Sequence, residues 1–300
     1  MISFDGRVAI VTGAGNGLGR AYAVQLAARG ARVVVNNRRR AADLPGDSSA
    51  DRTVAAIRDA GGEATANWED VRTPASGAAL VSQALAIWGR LDIVINNAGV
   101  GQHQAFHNIS VEEFREIFDL NFYGSMYLTH AAYAHMRRQS YGRIVASASA
   151  AGLHGLHGLT AYAASKSALI GLMRSLAQEG AARGVYCNTI CPFALTQMTA
   201  PHASPEFAAA MPPDLVAPMV LYLASEQTRL NGRVIVAGKG AFRRAVMIEG
   251  AGLGYERAPD VTPESIARDI ERIDSIESPQ EYPDALASFD QFFKAYRGVC

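Results

Sequence analysis

The chain carries 28 Lys plus Arg against 28 Asp plus Glu over 300 residues, a formal net charge of +0, and is 49% hydrophobic. That excludes a mainly disordered chain and leaves no global field to hold nucleic acid or an anionic membrane, so any anion site is local. Cys187, Cys191 and Cys300 form no disulfide framework, which points to a reducing compartment; with no leader ahead of the first strand and no run of about 18 apolar residues, a soluble cytoplasmic protein is expected.

Short β-branched runs alternate with helical stretches, the pattern of βα units stacked into a parallel sheet. Strands are expected over 8–12, 32–36, 64–67, 93–96, 142–147, 185–190 and 233–237, and helices over 19–29, 50–60, 75–88, 111–138, 161–183 and 213–225. Val33-Val34-Val35 and Ile93-Val94-Ile95 are apolar throughout, as strands covered on both faces must be, so helices should lie on both sides of the sheet. Gly30 and Gly184 read as helix stops. The fold class is α/β, a doubly wound parallel sheet in a single domain over 1–254, followed over 255–300 by a helical extension. In the extension, Thr262-Pro263-Glu264 reads as a cap, a first-turn proline and an acid matched to the helix dipole. Ile266, Ile270 and Ile273, then Leu286, Phe289, Phe293 and Tyr296, form apolar stripes suited to packing on this subunit or on a partner.

The first strand runs through Thr12 into Gly13-Ala14-Gly15-Asn16-Gly17-Leu18-Gly19 and then a helix. Glycines let backbone amides approach a pyrophosphate, and the helix offers its positive end, so this turn is a candidate dinucleotide cradle. An acid at the tip of the second strand would bind ribose hydroxyls and repel a 2′-phosphate. Here the tip reads Asn36-Asn37-Arg38-Arg39-Arg40, which favours NADP, with NAD as the alternative. Asp70-Val71, after the third strand, is placed near the adenine, and Asn97-Ala98-Gly99, after the fourth, at the carboxyl edge where ligands bind.

Tyr162 and Lys166 stand four residues apart, on one face of a helix. A fixed cation beside a phenol favours the phenolate, so the pair is expected to lower the tyrosine pKa and serve as acid and base. Ser149 follows the strand at 142–147, from where its hydroxyl can hold a substrate oxygen; Ser147 competes for that role.

Taken together, Thr12-Gly13 through Gly19, Asn96-Asn97-Ala98-Gly99, Asn121, Ser149, Tyr162 and Lys166 resemble the short-chain dehydrogenase/reductase family. The stretch around Gly13–Arg20, Tyr141-Gly142-Arg143-Ile144, Cys187-Asn188-Thr189-Ile190, Met198-Thr199 and the long loop from 37 to 49 are similar to one subgroup. That subgroup is the (3R)-hydroxyacyl-CoA dehydrogenase part of the peroxisomal multifunctional enzyme and its bacterial single-domain counterparts. The resemblance implies a Rossmann-type domain in which Tyr162 moves the proton, Ser149 orients the carbonyl, Lys166 binds the nicotinamide ribose and Asn121 holds a relay water. Pro192 and Thr196 would meet the nicotinamide. Two departures stand out: Asn37 replaces the subgroup's acid, and Pro192 is followed by Phe193-Ala194 where the family has glycine.

The stretch 193–213, with Pro201, Pro205, Phe207 and Pro212, reads as an apolar lid. His103, His107, His154 and His157 sit in loops that should face substrate, and no partners at metal-ligand spacing accompany them, so no metal is expected. The long Ala- and Leu-rich helices at 111–138 and 161–183 exceed what one sheet face needs, and the resemblance implies that they pair subunits into a dimer or tetramer. The function expected is interconversion of a secondary alcohol and a ketone, a 3-hydroxyacyl or 3-oxoacyl thioester first, a hydroxysteroid or other bulky alcohol second. A non-catalytic NAD(P)-binding sensor on the same fold is the alternative of a different class.

Overall fold

The computed structural model describes residues 1–44, 46–196, 200 and 204–296, with Phe207 described by its backbone alone. Met198-Thr199, Pro201 and Cys300 of the sequence reading lie outside the described residues. Two compact units emerge, one running to Arg244 and one starting at Ala245.

In the first unit, Val8–Thr12 (β1), Arg32–Asn36 (β2), Glu63–Asn67 (β3), Ile93–Asn96 (β4), Gly142–Ser147 (β5), Val185–Pro192 (β6) and Val234–Gly238 (β7) form parallel pairs in the order β3-β2-β1-β4-β5-β6-β7. The strand order reverses at β1, which neighbours both β2 and β4, and the crevice above that reversal is where ligands of open α/β sheets bind. Successive side chains of each strand enter different cores. Ala9, Val11, Val33, Val35, Ile93 and Ile95 face α1 (Gly17–Ala27), α2 (Ser49–Asp59) and, farther along the chain, α9 (Ala217–Ala224). Val8, Ile10, Val34, Val94 and Ile144 face α3 (Pro74–Trp88), α5 (Gly124–Gln139) and α7 (Thr160–Gly180). At about 1.5–3 kcal/mol for each fully buried large aliphatic side chain, these two layers hold the sheet.

The structure departs from the sequence reading in four places. The expected helix 111–138 is α4 (Val111–Phe118) and α5 joined through a π-helical turn, Asp119–Tyr123, which buries Asn121. The segment after Ser149 is a short helix, α6 (Ala150–His154), rather than a loop, because the Ser149 hydroxyl accepts the Ala151 N–H at 3.1 Å and caps it. A further short helix, α8 (Pro205–Ala210), lies in the stretch expected to be a lid. An eighth strand, Ala241–Ala245 (β8), follows β7 across Lys239 and Gly240, whose φ of 53° and 71° suit a two-residue hairpin turn. Its residues are mostly exposed, so no alternation of polarity announces it.

In the second unit, α10 (Pro263–Ile273) starts at the capping box of Thr262 and Ser265 and α11 (Ala285–Ala295) at Asp284. Glu249 and Gln280 exchange backbone hydrogen bonds at 3.0 and 2.9 Å, the Tyr296 hydroxyl donates to the Ala251 carbonyl, and the Tyr255 hydroxyl donates to Asp269 at 3.1 Å. Ile270, Leu286, Phe289 and Phe293 of the expected stripes are exposed.

Candidate active site

The glycine turn is tight in a way only glycine permits. A β-carbon on Gly13 would stand 2.9 Å from Ala98 Cα, one on Gly15 2.3 Å from Ser49 Oγ, and one on Gly19 2.3 Å from the Gly13 carbonyl oxygen. Gly17, at φ +51°, has open space apart from Thr196, whose Cγ2 is 3.6 Å from where its β-carbon would be. Asn16 stands at the N-cap without a side-chain cap bond, and the first turn of α1 holds no acid, so its amides face outward under a positive dipole. Leu18 packs on the first core layer.

Thr12 and Asn97 fasten this turn to the end of β4. The Thr12 hydroxyl accepts the N–H groups of Asn97 and Ala98, both at 3.0 Å, and Asn97 Nδ2 donates to the Thr12 carbonyl at 3.1 Å. At the tip of β2, Asn37 Nδ2 donates to Ser49 Oγ at 2.8 Å. Arg38 pairs with Asp70 at 3.2 Å, and Arg39 stacks on Trp68 with its guanidinium carbon 4.1 Å from the ring centroid. Two arginines of the run, Arg38 and Arg39, are thus each held by a partner. The Arg72 hydrogen bond, with help from Arg38, pulls the Asp70 carboxyl down to about 2. Val71 is buried against Gly124.

Tyr162, on α7, brings its phenol to the Ser149 hydroxyl. Lys166, one turn on, is buried; its Nζ donates to the Ser147 carbonyl at 2.7 Å and lies 5.6 Å from the Tyr162 ring centroid. Ser147 is otherwise engaged, its hydroxyl donating to Asn97 Oδ1 at 3.4 Å and buried, whereas Ser149 is partly exposed. Asn121 is fully enclosed: its Nδ2 donates to the Val100 carbonyl at 2.9 Å and Ser165 Oγ at 3.0 Å, and its Oδ1 accepts the Val100 N–H at 2.8 Å. A β-carbon on Gly99 would lie 3.1 Å from Asn121 Oδ1 and 3.2 Å from Lys166 Nζ, which places the end of β4 against both.

The electrostatics differ from the expectation of a phenol acidified by its lysine. Burial raises the Tyr162 pKa above its ordinary value, Cys191 adds to this, and only the Ser149 hydrogen bond opposes it. Burial pushes Lys166 down to about 8. The ammonium's contact is with a carbonyl rather than with the phenol oxygen, so desolvation dominates both groups.

At the end of β6, the Phe193 N–H donates to the Ala237 carbonyl at 2.7 Å and the Leu195 N–H to the Met211 carbonyl at 2.6 Å, carrying the chain from Pro192 to Thr196 opposite Gly17. His103, His107, His154 and His157 are exposed. The sequence reading missed the hydroxyl of Ser165, which joins Asn121 to the Tyr162 carbonyl, and the Cys191 thiol, whose sulfur takes the Ser149 amide and which burial pushes up to about 12. Neither carries a sequence signal, since a serine in a helix and a cysteine in a strand are ordinary core residues.

Residues 7–206 match the short chain dehydrogenase family. The chain belongs to that family. As a short-chain dehydrogenase it is an oxidoreductase acting on CH–OH groups. It is similar to the peroxisomal multifunctional enzyme type 2 of Mus musculus, 40% identical over 281 residues covering 91% of this chain and 37% of that protein. Hydroxyacyl-CoA dehydrogenase ChsB1 of Mycobacterium tuberculosis is 38% identical over 247 residues, 77% of each. The full-length peroxisomal multifunctional enzyme type 2 of Drosophila melanogaster superposes with a TM-score of 0.83 at 33% identity, covering 98% of this short-chain dehydrogenase and 49% of that chain. The protein thus spans half or less of each of these two multifunctional enzymes. Among the described residues no helix is long and apolar enough to cross a membrane, and no cluster of His, Cys, Asp or Glu could hold a metal ion.

Proposed function

We propose that the protein interconverts a 3-hydroxyacyl and a 3-oxoacyl thioester, with Tyr162, Ser149, Lys166 and Asn121 as its working residues. The observation that carries this reading is the contact of the Tyr162 phenol with the Ser149 hydroxyl beside a buried Lys166, at the carboxyl edge of the sheet and next to the glycine cradle. The relative named as a hydroxyacyl-CoA dehydrogenase supports the substrate class. Exposed Val100, Phe106 and Leu156 on the flanking loops offer an apolar approach.

A cradle that a single β-carbon would fill, over an uncapped helix end, fits the pyrophosphate of a dinucleotide. Gly13, Gly15, Asn16, Gly17, Leu18 and Gly19 would hold it, Asn37, Arg38, Asp70 and Val71 the adenosine end, and Asn97, Ala98, Gly99, Tyr162, Lys166, Pro192 and Thr196 the nicotinamide end. When bound, the nicotinamide gives or takes the hydride. We assign NADP on the absence of an acid at the β2 tip and on Arg38, which is 60% exposed and uses one donor of its guanidinium on Asp70.

Tyr162 holds its proton at Oη in the ground state, because burial favours the neutral phenol, and delivers it to the carbonyl oxygen that Ser149 orients. Lys166 then stands as the cation nearest the phenolate left behind, a charge stabilised only once it forms. Asn121 keeps Val100, and with it the end of β4, in place. Replacing Tyr162 by Phe removes the proton donor and keeps the ring, so nucleotide binding persists while turnover of a 3-oxoacyl thioester falls about 100-fold or more. Equal turnover in both proteins would end this mechanism.

A groove of 690 Å³ between α5 and α7, lined by Met126, Tyr133, Leu172 and Leu176, lies away from this chemistry, and we read it as the seat of a second subunit in a dimer or tetramer. A monomer mass in light scattering counts against that. Cys187 and Cys191 are free thiols, in keeping with a reducing, cytoplasmic setting.

A further inference from the structure

The loop after β4 and the loop between α6 and α7 flank the Ser149–Tyr162 pair, and they grip one another. The Gln104 N–H donates to the Gly158 carbonyl at 2.7 Å. The His103 imidazole lies directly on Gly158: a β-carbon there would stand 2.4 Å from His103 Cε1 and 2.6 Å from Nδ1. Gly158 is buried at φ +75°, and His103 remains exposed on its other side.

Each loop is also fixed from behind. Val100 exchanges two hydrogen bonds with the Asn121 side chain, Gln102 Nε2 donates to Gln104 Oε1 at 2.9 Å and to Glu113 at 3.1 Å, and Gln104 Nε2 donates to the Asn108 carbonyl at 2.7 Å. On the opposite wall, Gly158 stands four residues before Tyr162, and the Leu159 carbonyl accepts the Ala163 N–H at 2.7 Å in the first turn of α7. The contact between the two walls is thus one peptide hydrogen bond and one imidazole, set on backbones that already hold the polar pair.

We propose that His103 and Gly158 form a clasp that sets the width of the substrate cleft, making His103 a specificity-determining residue that acts through Gly158. Surface loops of this kind are mobile by default, and holding a substrate within reach of a fixed hydroxyl requires walls that do not shift. The imidazole occupies the space that any side chain at 158 would need, and His103 is otherwise exposed. Truncating it loosens the wall without touching Ser149, Tyr162, Lys166 or the glycine cradle. The inference rests on the alcohol–ketone reading of the site given above.

The test is steady-state reduction of acetoacetyl-CoA and of a longer-chain 3-oxoacyl-CoA by the full chain, its His103→Ala and its His103→Gln variants, with nucleotide affinity followed by tryptophan fluorescence. Amide hydrogen exchange over residues 155–159 and at Gln104 is measured on the same three proteins. His103→Ala should raise KM about fivefold or more with kcat and nucleotide affinity within about twofold, and should speed exchange at Gln104 and over 155–159. His103→Gln, which keeps most of the bulk, should recover most of both. An unchanged KM with unchanged exchange overturns the clasp, as does a joint fall in kcat and nucleotide affinity, which would mean that the ring only holds the site together. If the parent reduces neither thioester, the substrate reading has failed and exchange alone decides: protection over 155–159 that survives His103→Ala overturns the inference.

Discussion

Lys166 offers a quantitative check on the site that needs no substrate. Its side chain is 3% exposed, burial is the largest influence on it, and its pKa falls from 10.5 to about 8. A lysine whose pKa is lower in the folded than in the unfolded state binds fewer protons when folded across the interval between the two values, so stability rises with pH there. Below the folded value the group is charged in both states and its full burial cost is present. A shift of this size corresponds to roughly 3 kcal/mol, of which about 2.5 kcal/mol is relieved between about pH 7 and about pH 10. Lys166→Met removes the titration but keeps the length of the chain, at the loss of the hydrogen bond to the Ser147 carbonyl, worth about 1.5–3 kcal/mol. Urea unfolding of both proteins, followed by tryptophan fluorescence at several pH values, isolates the lysine because Cys191, the thiol that its charge lowers, lies at about 12 and stays protonated in the folded state over this range. The stability of the parent relative to the variant should climb by about 2.5 kcal/mol from about pH 7 to about pH 10, whatever its starting value. A flat difference would show that Lys166 is hydrated, and the account of a desolvated ammonium waiting beside Tyr162 would be wrong.

Gly19→Ala places a methyl 2.3 Å from the Gly13 carbonyl and 2.6 Å from Asn97 Nδ2, so it should abolish nucleotide binding in titration calorimetry and cost about 1–3 kcal/mol in urea unfolding. Arg38→Ala should raise the KM for NADPH severalfold and leave that for NADH nearly unchanged; equal effects on both would show that Arg38 meets no 2′-phosphate. Arg143, 6% exposed, donates to the carbonyls of Ser225, Gly142 and Gly184 at 3.0, 2.8 and 2.9 Å and lies between Tyr141 and Tyr186, so Arg143→Met should cost about 3 kcal/mol or more in urea unfolding. A loss under about 1 kcal/mol would mean that water replaces the guanidinium at all three oxygens.

The strands and the large helices were legible because a strand covered on both faces must be apolar at every position, as in Val33–Val35, and because Gly30 and Gly184, at φ +91° and +66°, can end helices where other residues would strain. That Ser149, Tyr162 and Lys166 lie near one edge of the sheet was legible too, since each follows or lies on an element that the alternation of strand and helix places, whereas Asn121 came only with the family resemblance. What stayed hidden depends on three-dimensional neighbours. Arg38 and Asp70 are 32 positions apart, and only the pairing of β2 with β3 brings them together. The raised Tyr162 pKa reflects burial, which a spacing of four residues from a lysine does not register. Helix α6 was obscured because Gly152 and Gly155 look like loop punctuation, although Gly152 is needed where α6 touches the backbone of Lys166 and Ser167.

The π-helical turn at Asp119–Tyr123 has a consequence for how this segment can vary. It admits one residue more than a regular helix would, so α4 meets α7 while α5 meets α3, and Asn121 is turned inward between Val100 and Ser165. Deleting one residue of the turn would restore ordinary winding, and the wider turn that aims Asn121 inward would be lost. Length is therefore held here as firmly as the identity of Asn121: a one-residue gap would release its side chain from Val100 and Ser165 together, as a missing tooth throws a gear out of mesh.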